Sequence, residues 1–392
     1  MKRKKIVGIV AVAALVALAG CSTNADPGAS TPASAPSTAA PSTAAPSSDA
    51  PSSDAPSSDA PSSDGPSSDA PSSDGPSSDA PSSDAPTSGG ANTTTLALPK
   101  KDKYVIGYSQ ANNAEPYRAQ LNAQLEYYVK QQPNLELLPI ADAQQDSSRQ
   151  VSQVQQFIQQ KVDILIVSPN ESDPLTPPVE QACAAKIPVI VLDRTVNTDC
   201  ISAFIGGDNV AIGKAAGELA VSLLPDGGNV AELRGILSNQ PQIDRDKGFR
   251  DAIAANPKIK IVKEQEGKWL KEEGTKVTQQ WLQSGDKIDL VYAHNDPMAL
   301  GAYLAASAAN KQTDIKFIGI DGLAIPDGGI RAVEQGQLAG TFVYPTGAKE
   351  SVDTIEKMIG GEAFSTKQVL PTTAVTKANA AEIYQQFDFS NK

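Results

Sequence analysis

The chain has 392 residues, of which 40% are hydrophobic, and a formal net charge of −12 at pH 7. Four basic residues at the start and nine aspartates before residue 92 account for −5 of this charge, which leaves −7 for the rest. A mildly acidic domain without a basic patch is not expected to bind nucleic acid.

The amino-terminal residues have the pattern of an export signal. Basic residues 2–5 precede an apolar run of 15 residues, Ile6–Gly20, that ends at Cys21. The run is too short to span a bilayer comfortably, although a transmembrane anchor remains the alternative. It resembles a bacterial lipoprotein signal, which implies cleavage before Cys21 and lipidation of its thiol. We therefore expect an extracytoplasmic domain that is lipid-anchored to the bacterial cell membrane.

Residues 21–101 are predicted to form a disordered linker. Two Pro-Ser-Thr-Ala-Ala units at 36–45 are followed at 46–85 by eight units of Pro-Ser-Ser-Asp-Ala or Pro-Ser-Ser-Asp-Gly. The repeats contain no apolar residue larger than alanine, so they cannot build a core or stack as a solenoid. Such a tether would hold a folded domain clear of the membrane.

From residue 103 onward, apolar runs of strand length alternate with stretches of helical spacing. The first series predicts strands at 105–108, 135–140, 164–167 and 189–192, and its first helix covers 114–131. After a helix around 212–219, the second series predicts strands at 229–233, 259–263, 289–293 and 317–320, with helices at 271–283 and from Asp296. Two such series, which together span about 290 residues, are more than one hydrophobic core usually contains. The predicted fold class is therefore α/β, with two doubly wound Rossmann-like lobes.

Several of these predicted strands end at polar residues. Continuous apolar runs rich in β-branched residues are typical of buried parallel strands. Ligands of open α/β sheets bind beyond the carboxyl ends of the strands. The polar residues found there are Asp193, Arg194, Asn295 and Asp321. Their donors and acceptors suit a small polyhydroxylated molecule, so we predict that they contact the ligand.

Two cysteines remain if Cys21 is lipidated. In an oxidising compartment, Cys183 and Cys200 are expected to form a disulfide, although two buried free thiols are the alternative. The bridge would close a loop of about 16 residues and contribute on the order of 3 kcal/mol.

The sequence has no signature of catalysis. Neither a Gly-x-Ser-x-Gly elbow nor a His-Glu-x-x-His motif occurs, and His294 is the only histidine. No loop has calcium-ligand spacing. We therefore predict a protein that is not an enzyme and that uses neither a metal nor a cofactor.

Four segments, taken together in order, resemble the type 1 periplasmic sugar-binding proteins of ABC importers, and most of all their ribose, galactose and galactofuranose branch. These segments are 187–194, 207–209, 294–302 and 320–322. The resemblance implies two lobes joined by a three-stranded hinge, with crossovers near Gly207, Tyr344 and Thr372. Lobe 1 would comprise 103–207 and 345–371, and lobe 2 would comprise 208–344 and 372–392. The implied action is closure of the lobes around a sugar by a monomer that then meets the permease subunits in the membrane.

The same resemblance assigns the ligand contacts. They fall on Tyr117, Arg118, Asp193, Arg194, Arg245, Trp269, Asn295, Asp321 and Tyr344. In the family, the Asp-Arg pair grips ring hydroxyls and the aromatic residues cover the sugar faces. The Tyr117-Arg118 pair is more similar to the galactofuranose branch than to the ribose branch, which has two adjacent phenylalanines. Plainer alternatives are a local ion pair at Asp193, a core position for Trp269 and a helix cap at Asn295.

Two functions are consistent with this pattern. The first is an extracytoplasmic solute-binding lipoprotein that delivers a pentose or hexose, a furanose included, to an importer. The second is a tethered receptor for a sugar or a sugar-like signal molecule that acts with a membrane sensor. Transcription regulators with the same fold would need a helix-turn-helix before residue 103, where this chain has the leader and the linker.

Overall fold

The computed structural model describes residues 92–390 and residue 392. The predicted signal, Cys21 and the linker up to residue 91 lie outside the described residues. The strands are β1 Thr93–Thr95, β2 Tyr104–Gln110, β3 Leu135–Leu137, β4 Ala141–Asp142, β5 Ile164–Ser168, β6 Val189–Leu192, β7 Ala203–Gly207, β8 Gly228–Arg234, β9 Ile259–Glu266, β10 Leu290–Ala293, β11 Lys316–Ile318, β12 Thr341–Val343, β13 Ala363–Ser365, β14 Lys367–Leu370 and β15 Thr373–Val375.

Ten helices are described alongside these strands. They are α1 Pro116–Lys130, α2 Ser147–Gln160, α3 Ser172–Ala184, α4 Asn209–Leu223, α5 Gln240–Ile253, α6 Lys271–Gln283, α7 Asp296–Ala308, α8 Gly329–Glu334, α9 Ala348–Gly360 and α10 Ala380–Phe387. None of these described helices has the length and apolar character that crossing a bilayer requires.

Two parallel sheets organise the chain, which confirms the predicted α/β fold class. The first sheet has seven strands in the order β14-β7-β6-β5-β2-β3, with β4 also paired to β2, and we call the part built on it lobe 1. The second sheet has four strands in the order β11-β10-β8-β9, and we call the part built on it lobe 2. Both are doubly wound, because the chain runs outward in both directions from β2 in lobe 1 and from β8 in lobe 2.

Burial on both faces explains the continuous apolar strands. Residues 164–167 of β5 and 290–293 of β10 are fully buried, with 0% exposure. Because helices cover both faces of each sheet, no position along these strands can be polar until the strand ends. The first polar side chains after a strand therefore meet at the carboxyl edge of the sheet.

The chain passes between the lobes three times. It leaves lobe 1 after β7, returns between β12 and α9, and leaves again between β14 and β15. The last strand of lobe 2 before the return, β12, pairs antiparallel with β15. That these passages act as a hinge, and that the lobes close around a ligand, stay predictions.

The expected end of the linker at residue 101 is corrected by the structure. β1 pairs antiparallel with β13, and Leu96 and Leu98 pack against the apolar core. Three consecutive threonines favour an extended strand, and the two leucines gain free energy by burial. The ordered part of the chain therefore begins well before Asp102.

A few other boundaries differ from those predicted. The strand expected at 135–140 ends at Leu137, before Pro139, which has no N–H to donate to a neighbouring strand, and the short β4 follows at Ala141–Asp142. The first helix begins at Pro116 rather than at residue 114. Helix α6 has the predicted bounds, and α7 begins at Asp296 as predicted.

Cys183 and Cys200 are joined by a disulfide, with their Cα atoms 6.1 Å apart. The bridge ties the last turn of α3 to the segment that leads into β7. It therefore lies in lobe 1, close to where the chain first crosses to lobe 2.

Candidate ligand-binding site

All nine residues predicted to contact the ligand lie around one pocket. It is lined by Glu115, Tyr117, Arg118, Asp193, Arg194, Pro241, Arg245, Trp269, Asn295, Asp321 and Tyr344. The sequence analysis missed only Glu115 and Pro241 among these. Glu115 follows the carboxyl end of β2, and Pro241 follows that of β8. Their position after a predicted strand could have identified them as pocket residues.

Both lobes contribute to the pocket through the loops at their sheet edges. Tyr117 and Arg118 lie in the first turn of α1, after β2, and Asp193 follows β6. Asn295 follows β10 and Asp321 follows β11, in lobe 2. The pocket thus lies at the edge where doubly wound sheets bind their ligands, next to the point where the strand order reverses in each lobe.

Three pocket residues have an unusual backbone conformation. The φ angles of Asp193, Trp269 and Asp321 are 66°, 68° and 132°. Residues other than glycine rarely adopt positive φ, and each such residue costs on the order of 1–3 kcal/mol. Such strain persists where the surrounding structure holds it, and it turns these three side chains toward the pocket.

The main ion-pair partner of Asp193 is Arg118, not the adjacent Arg194. Arg118 Nη2 lies 2.6 Å from Asp193 Oδ2, whereas Arg194 Nε lies 3.7 Å from the same oxygen. A local ion pair with Arg194, the plainer alternative, is therefore not the closest contact of Asp193. That Asp193 and Arg194 grip ring hydroxyls of a ligand stays a prediction. Burial by itself would raise the pKa of Asp193, but Arg118, and after it Arg194, hold that pKa below its usual value.

Arg194 instead points toward the loops after β2 and β5. Its Nη2 lies 3.7 Å from Glu115 Oε1, and its Nη1 donates to the carbonyl oxygen of Asn170 at 3.1 Å. Burial, and then the charge of Arg118, lower the pKa of the Arg194 guanidinium to about 10. Arg194 therefore stays charged at neutral pH, and its hydrogen bonds are the strong, charge-assisted kind.

Arg245 of lobe 2 is enclosed by polar and aromatic groups. Its Nε donates to Asn209 Oδ1 at 2.9 Å, and its Nη1 donates to the carbonyl oxygen of His294 at 2.5 Å. Its Cζ lies 4.8 Å from the ring centroid of Tyr344 and 5.5 Å from that of Trp269. No ion pair holds Arg245 among the described residues, so its charge is available to a ligand.

Asp321 is a pocket carboxyl group that, like Arg245, has no ion-pair partner in the part of the chain that the structure describes. It is buried. Burial, and then the nearby Asp296 carboxylate, raise the pKa of Asp321 well above its usual value. A carboxyl group that binds a proton readily can donate a hydrogen bond as well as accept one.

Trp269 is held at both ends. Its indole Nε1 donates to Asn239 Oδ1 at 3.0 Å, and its carbonyl oxygen accepts from Asn295 Nδ2 at 3.0 Å. The ring is 3% exposed, and the Cζ atoms of Arg194 and Arg245 lie 5.6 and 5.5 Å from its centroid. Trp269 is therefore both part of the lobe 2 core and a wall of the pocket.

Asn295 caps a helix and also lies at the pocket, and its contact with a ligand stays a prediction. Its Oδ1 accepts from the backbone N–H of Met298 at 3.1 Å, which caps α7. The same residue lines the pocket. Its Nδ2 donates to the carbonyl oxygen of Trp269. Because the oxygen and the nitrogen of the amide are both bonded, the orientation of the side chain is fixed.

The two tyrosines of the pocket lie next to the crossover between the lobes. The ring centroids of Tyr117 and Tyr344 are 5.4 Å apart. Tyr117 Oη donates to the carbonyl oxygen of Pro345 at 3.3 Å, and Tyr344 Oη accepts from the Gly207 N–H at 3.4 Å. These rings therefore contact two of the three crossover segments and border the pocket.

Three other aromatic or imidazole side chains stay outside the pocket. Tyr108 is fully buried, and Tyr292 stacks on Phe249 with a centroid distance of 4.0 Å. His294 Nε2 lies 2.9 Å from Glu232 Oε1 in the interior of lobe 2. Burial lowers the pKa of His294, so this ring is neutral and has a packing role.

A single methyl group should displace the Trp269 ring. A Cβ atom at Gly235 would lie 2.0 Å from Trp269 Cζ2, so we expect Gly235→Ala to cost about 1–3 kcal/mol of unfolding free energy and to shift tryptophan emission. Gly360→Ala is the matched control, because its Cβ would meet only the flexible Glu362 side chain at 3.3 Å. Unchanged emission and stability in Gly235→Ala would contradict the tight contact.

The charged groups of the pocket largely neutralise one another. Three arginines face three carboxyl groups, and among the described residues no group of three or more His, Cys, Asp or Glu is placed to hold a metal ion. Such a pocket offers many hydrogen-bond donors and acceptors but little net charge. It suits a neutral molecule rich in hydroxyl groups.

The chain resembles known proteins over most of this folded part. A family model described as a periplasmic binding protein domain matches residues 106–363. A putative rhizopine-binding protein of Rhizobium meliloti is 34% identical over 71% of this chain and 91% of its own length. A ribose import binding protein of Bacillus subtilis is 34% identical over 57% of this chain and 71% of its own. The solved fructose-binding periplasmic domain of a hybrid two-component system superposes with a TM-score of 0.70 at 33% identity, over 72% of this chain and 94% of that domain.

Proposed function

This chain belongs to the periplasmic binding protein family, and from that premise we propose that it captures a monosaccharide for an ABC importer. The ligand would be a pentose or hexose, furanose forms included, held between lobe 1 and lobe 2. The protein would act as a monomer, anchored to the cell membrane through the lipidated Cys21 and held away from it by the repetitive linker. The permease subunits would then receive the loaded form.

The observation that carries this proposal is that all nine predicted contact residues, which come from both lobes, line one pocket. A ligand there would contact Arg118 and Asp193 on one side and Arg245 and Asn295 on the other. Binding energy would therefore favour the arrangement in which the lobes are together. Capture by closure follows from this placement.

The chemistry of the pocket fits a sugar. Ionised side chains such as Asp193 and Arg194 form stronger hydrogen bonds with hydroxyl groups than neutral side chains do. The aromatic ring of Trp269 can cover the apolar C–H face of a sugar ring. An analogue lacking a hydroxyl would leave buried polar groups unpaired, so the site should reject it strongly.

We expect a matching sugar to change the intrinsic fluorescence saturably, since Trp269 lines the pocket. The test titrates D-ribose, D-galactose, D-fructose, L-arabinose, xylitol and myo-inositol by fluorescence and by calorimetry. Trp281, the other tryptophan of the chain, lies away from the pocket, so a Trp281→Phe variant should keep the response. Absence of heat and of a fluorescence change with every compound would contradict sugar capture.

A tethered sugar receptor for a membrane sensor is the second candidate. The similarity to a periplasmic domain of a hybrid two-component system favours it. The two functions share the pocket but differ in what the loaded protein meets. Loss of sugar uptake on deletion of the gene would support import, whereas normal uptake with a lost transcriptional response to the sugar would support sensing.

A further inference from the structure

Asn239 occupies a helix cap position without capping the helix. It is the residue before α5, and its side chain makes no hydrogen bond to the first turn. Asparagine is favoured at this position because its oxygen usually accepts from a backbone N–H there, an interaction worth about 1 kcal/mol. The side chain is 1% exposed, so its polar atoms must find partners elsewhere.

Both ends of the Asn239 amide are used outside the helix. Its Oδ1 accepts from Trp269 Nε1 at 3.0 Å. Its Nδ2 donates to the carbonyl oxygen of Asn170 at 2.7 Å. Asn170 belongs to lobe 1, and Asn239 and Trp269 belong to lobe 2, so one side chain connects an aromatic wall of the pocket to the opposite lobe.

The lobe 1 partner of this contact is held firmly. The backbone N–H of Asn170 donates to Gln150 Oε1 at 2.7 Å, and its Nδ2 donates to Ser147 Oγ at 2.9 Å. The same Asn170 carbonyl oxygen accepts from Arg194 Nη1 at 3.1 Å. Asn239 therefore meets a fixed acceptor that is also bonded to a pocket arginine.

We infer that Asn239 is a positioning residue for ligand capture, which rests on the proposed function. It holds the Trp269 ring in place and ties that ring to lobe 1 when the lobes are together. The position of the Trp269 ring is therefore coupled to the contact between the lobes, because one amide makes both hydrogen bonds. The residue acts through Trp269 and Asn170 and does not itself line the pocket.

The Asn239→Asp variant separates the two bonds. Aspartate keeps an oxygen for the Trp269 indole but has no N–H for the Asn170 carbonyl, against which it places a carboxylate oxygen. We expect the sugar to dissociate about tenfold faster while its association rate changes less than about twofold. Stopped-flow fluorescence on the full chain measures both rates, with D-ribose, D-fructose or myo-inositol as probe, whichever binds the wild type most tightly.

The Asn239→Leu variant removes both bonds and needs no ligand for its readout. We expect the Trp269 indole N–H resonance to shift in Asn239→Leu and to move little in Asn239→Asp. The Trp281→Phe variant assigns the two indole signals. Ser238→Ala is the matched control, since its hydroxyl donates to Glu171 Oε1 across the lobes at 2.8 Å but in an exposed position, where loss should change the off-rate less than about twofold.

The outcomes separate this inference from the proposed function. Wild-type dissociation from Asn239→Asp, in a protein that binds sugar, would overturn the inference and leave the function standing. If the wild type bound no probe, the function would fail, and an unshifted indole resonance in Asn239→Leu would overturn the inference as well. Equal effects of Ser238→Ala and Asn239→Asp would also contradict the role assigned to Asn239.

Discussion

Replacing Arg118 by alanine is expected to lower the free energy of unfolding by about 3–5 kcal/mol, because it breaks a buried ion pair and leaves Asp193 without its main partner. Arg118 is 1% exposed. It donates to Asp193 Oδ2 at 2.6 Å and to Ser168 Oγ at 2.5 Å. Urea unfolding followed by circular dichroism measures the change, and calorimetry should show at least about tenfold weaker sugar binding.

Two further variants test the electrostatic reason for this loss. Adding Asp193→Asn to Arg118→Ala should recover part of the stability, because the uncompensated charge disappears. Arg149→Ala is the surface control, since Arg149 is exposed and its guanidinium donates to Gln144 Oε1 at 2.7 Å. Loss of this side chain should change the free energy of unfolding by no more than about 0.5 kcal/mol. A loss below about 1 kcal/mol in Arg118→Ala, with unchanged sugar affinity, would show that the pair is dispensable.

Removing the disulfide with Cys183→Ser and Cys200→Ser together is expected to cost about 3 kcal/mol of unfolding free energy, since the bridge closes a short loop in the unfolded chain. The two cysteines are 17 residues apart. Neither lines the pocket, so sugar affinity should change by less than about twofold. Urea unfolding and calorimetry test the two parts separately.

Reduction provides the control for this second variant. Wild-type protein unfolded in excess dithiothreitol should match the double serine variant, because both lack the covalent link. Thiol titration of the exported, denatured protein should find neither Cys183 nor Cys200 free. Two titratable thiols, together with equal stability of the wild type and the variant, would contradict a structural bridge.

Periodicity and composition were enough to predict the sheets and several helices. The runs at 164–167 and 290–293 could be read as buried strands because every position in them is apolar. Helix α6 has the bounds that the sequence predicted. The polar residues after the strands, Asp193 and Asn295 among them, could be gathered into one site because the edge of a parallel sheet brings them together.

Long-range pairing could not be predicted in the same way. The sequence offers Arg194, the next residue, for a local ion pair with Asp193, but Arg194 Nε stays 3.7 Å from Asp193 Oδ2. Arg118, 75 residues earlier in the chain, takes its place. Likewise, β1 pairs with β13, which lies near the other end of the folded part. No local sequence pattern predicts this pairing.

The sequence by itself determined the fold class, the family resemblance and the set of side chains at the sheet edges, because local periodicity and strand-end polarity depend on near neighbours. Only the tertiary structure decided which of those side chains form ion pairs and that Glu115 also lines the pocket. It also decided that the Asn239 side chain links Trp269 with the opposite lobe instead of capping α5. These choices depend on backbone angles and on distances between segments far apart in the chain. Neither these angles nor these distances can be read from a local sequence pattern.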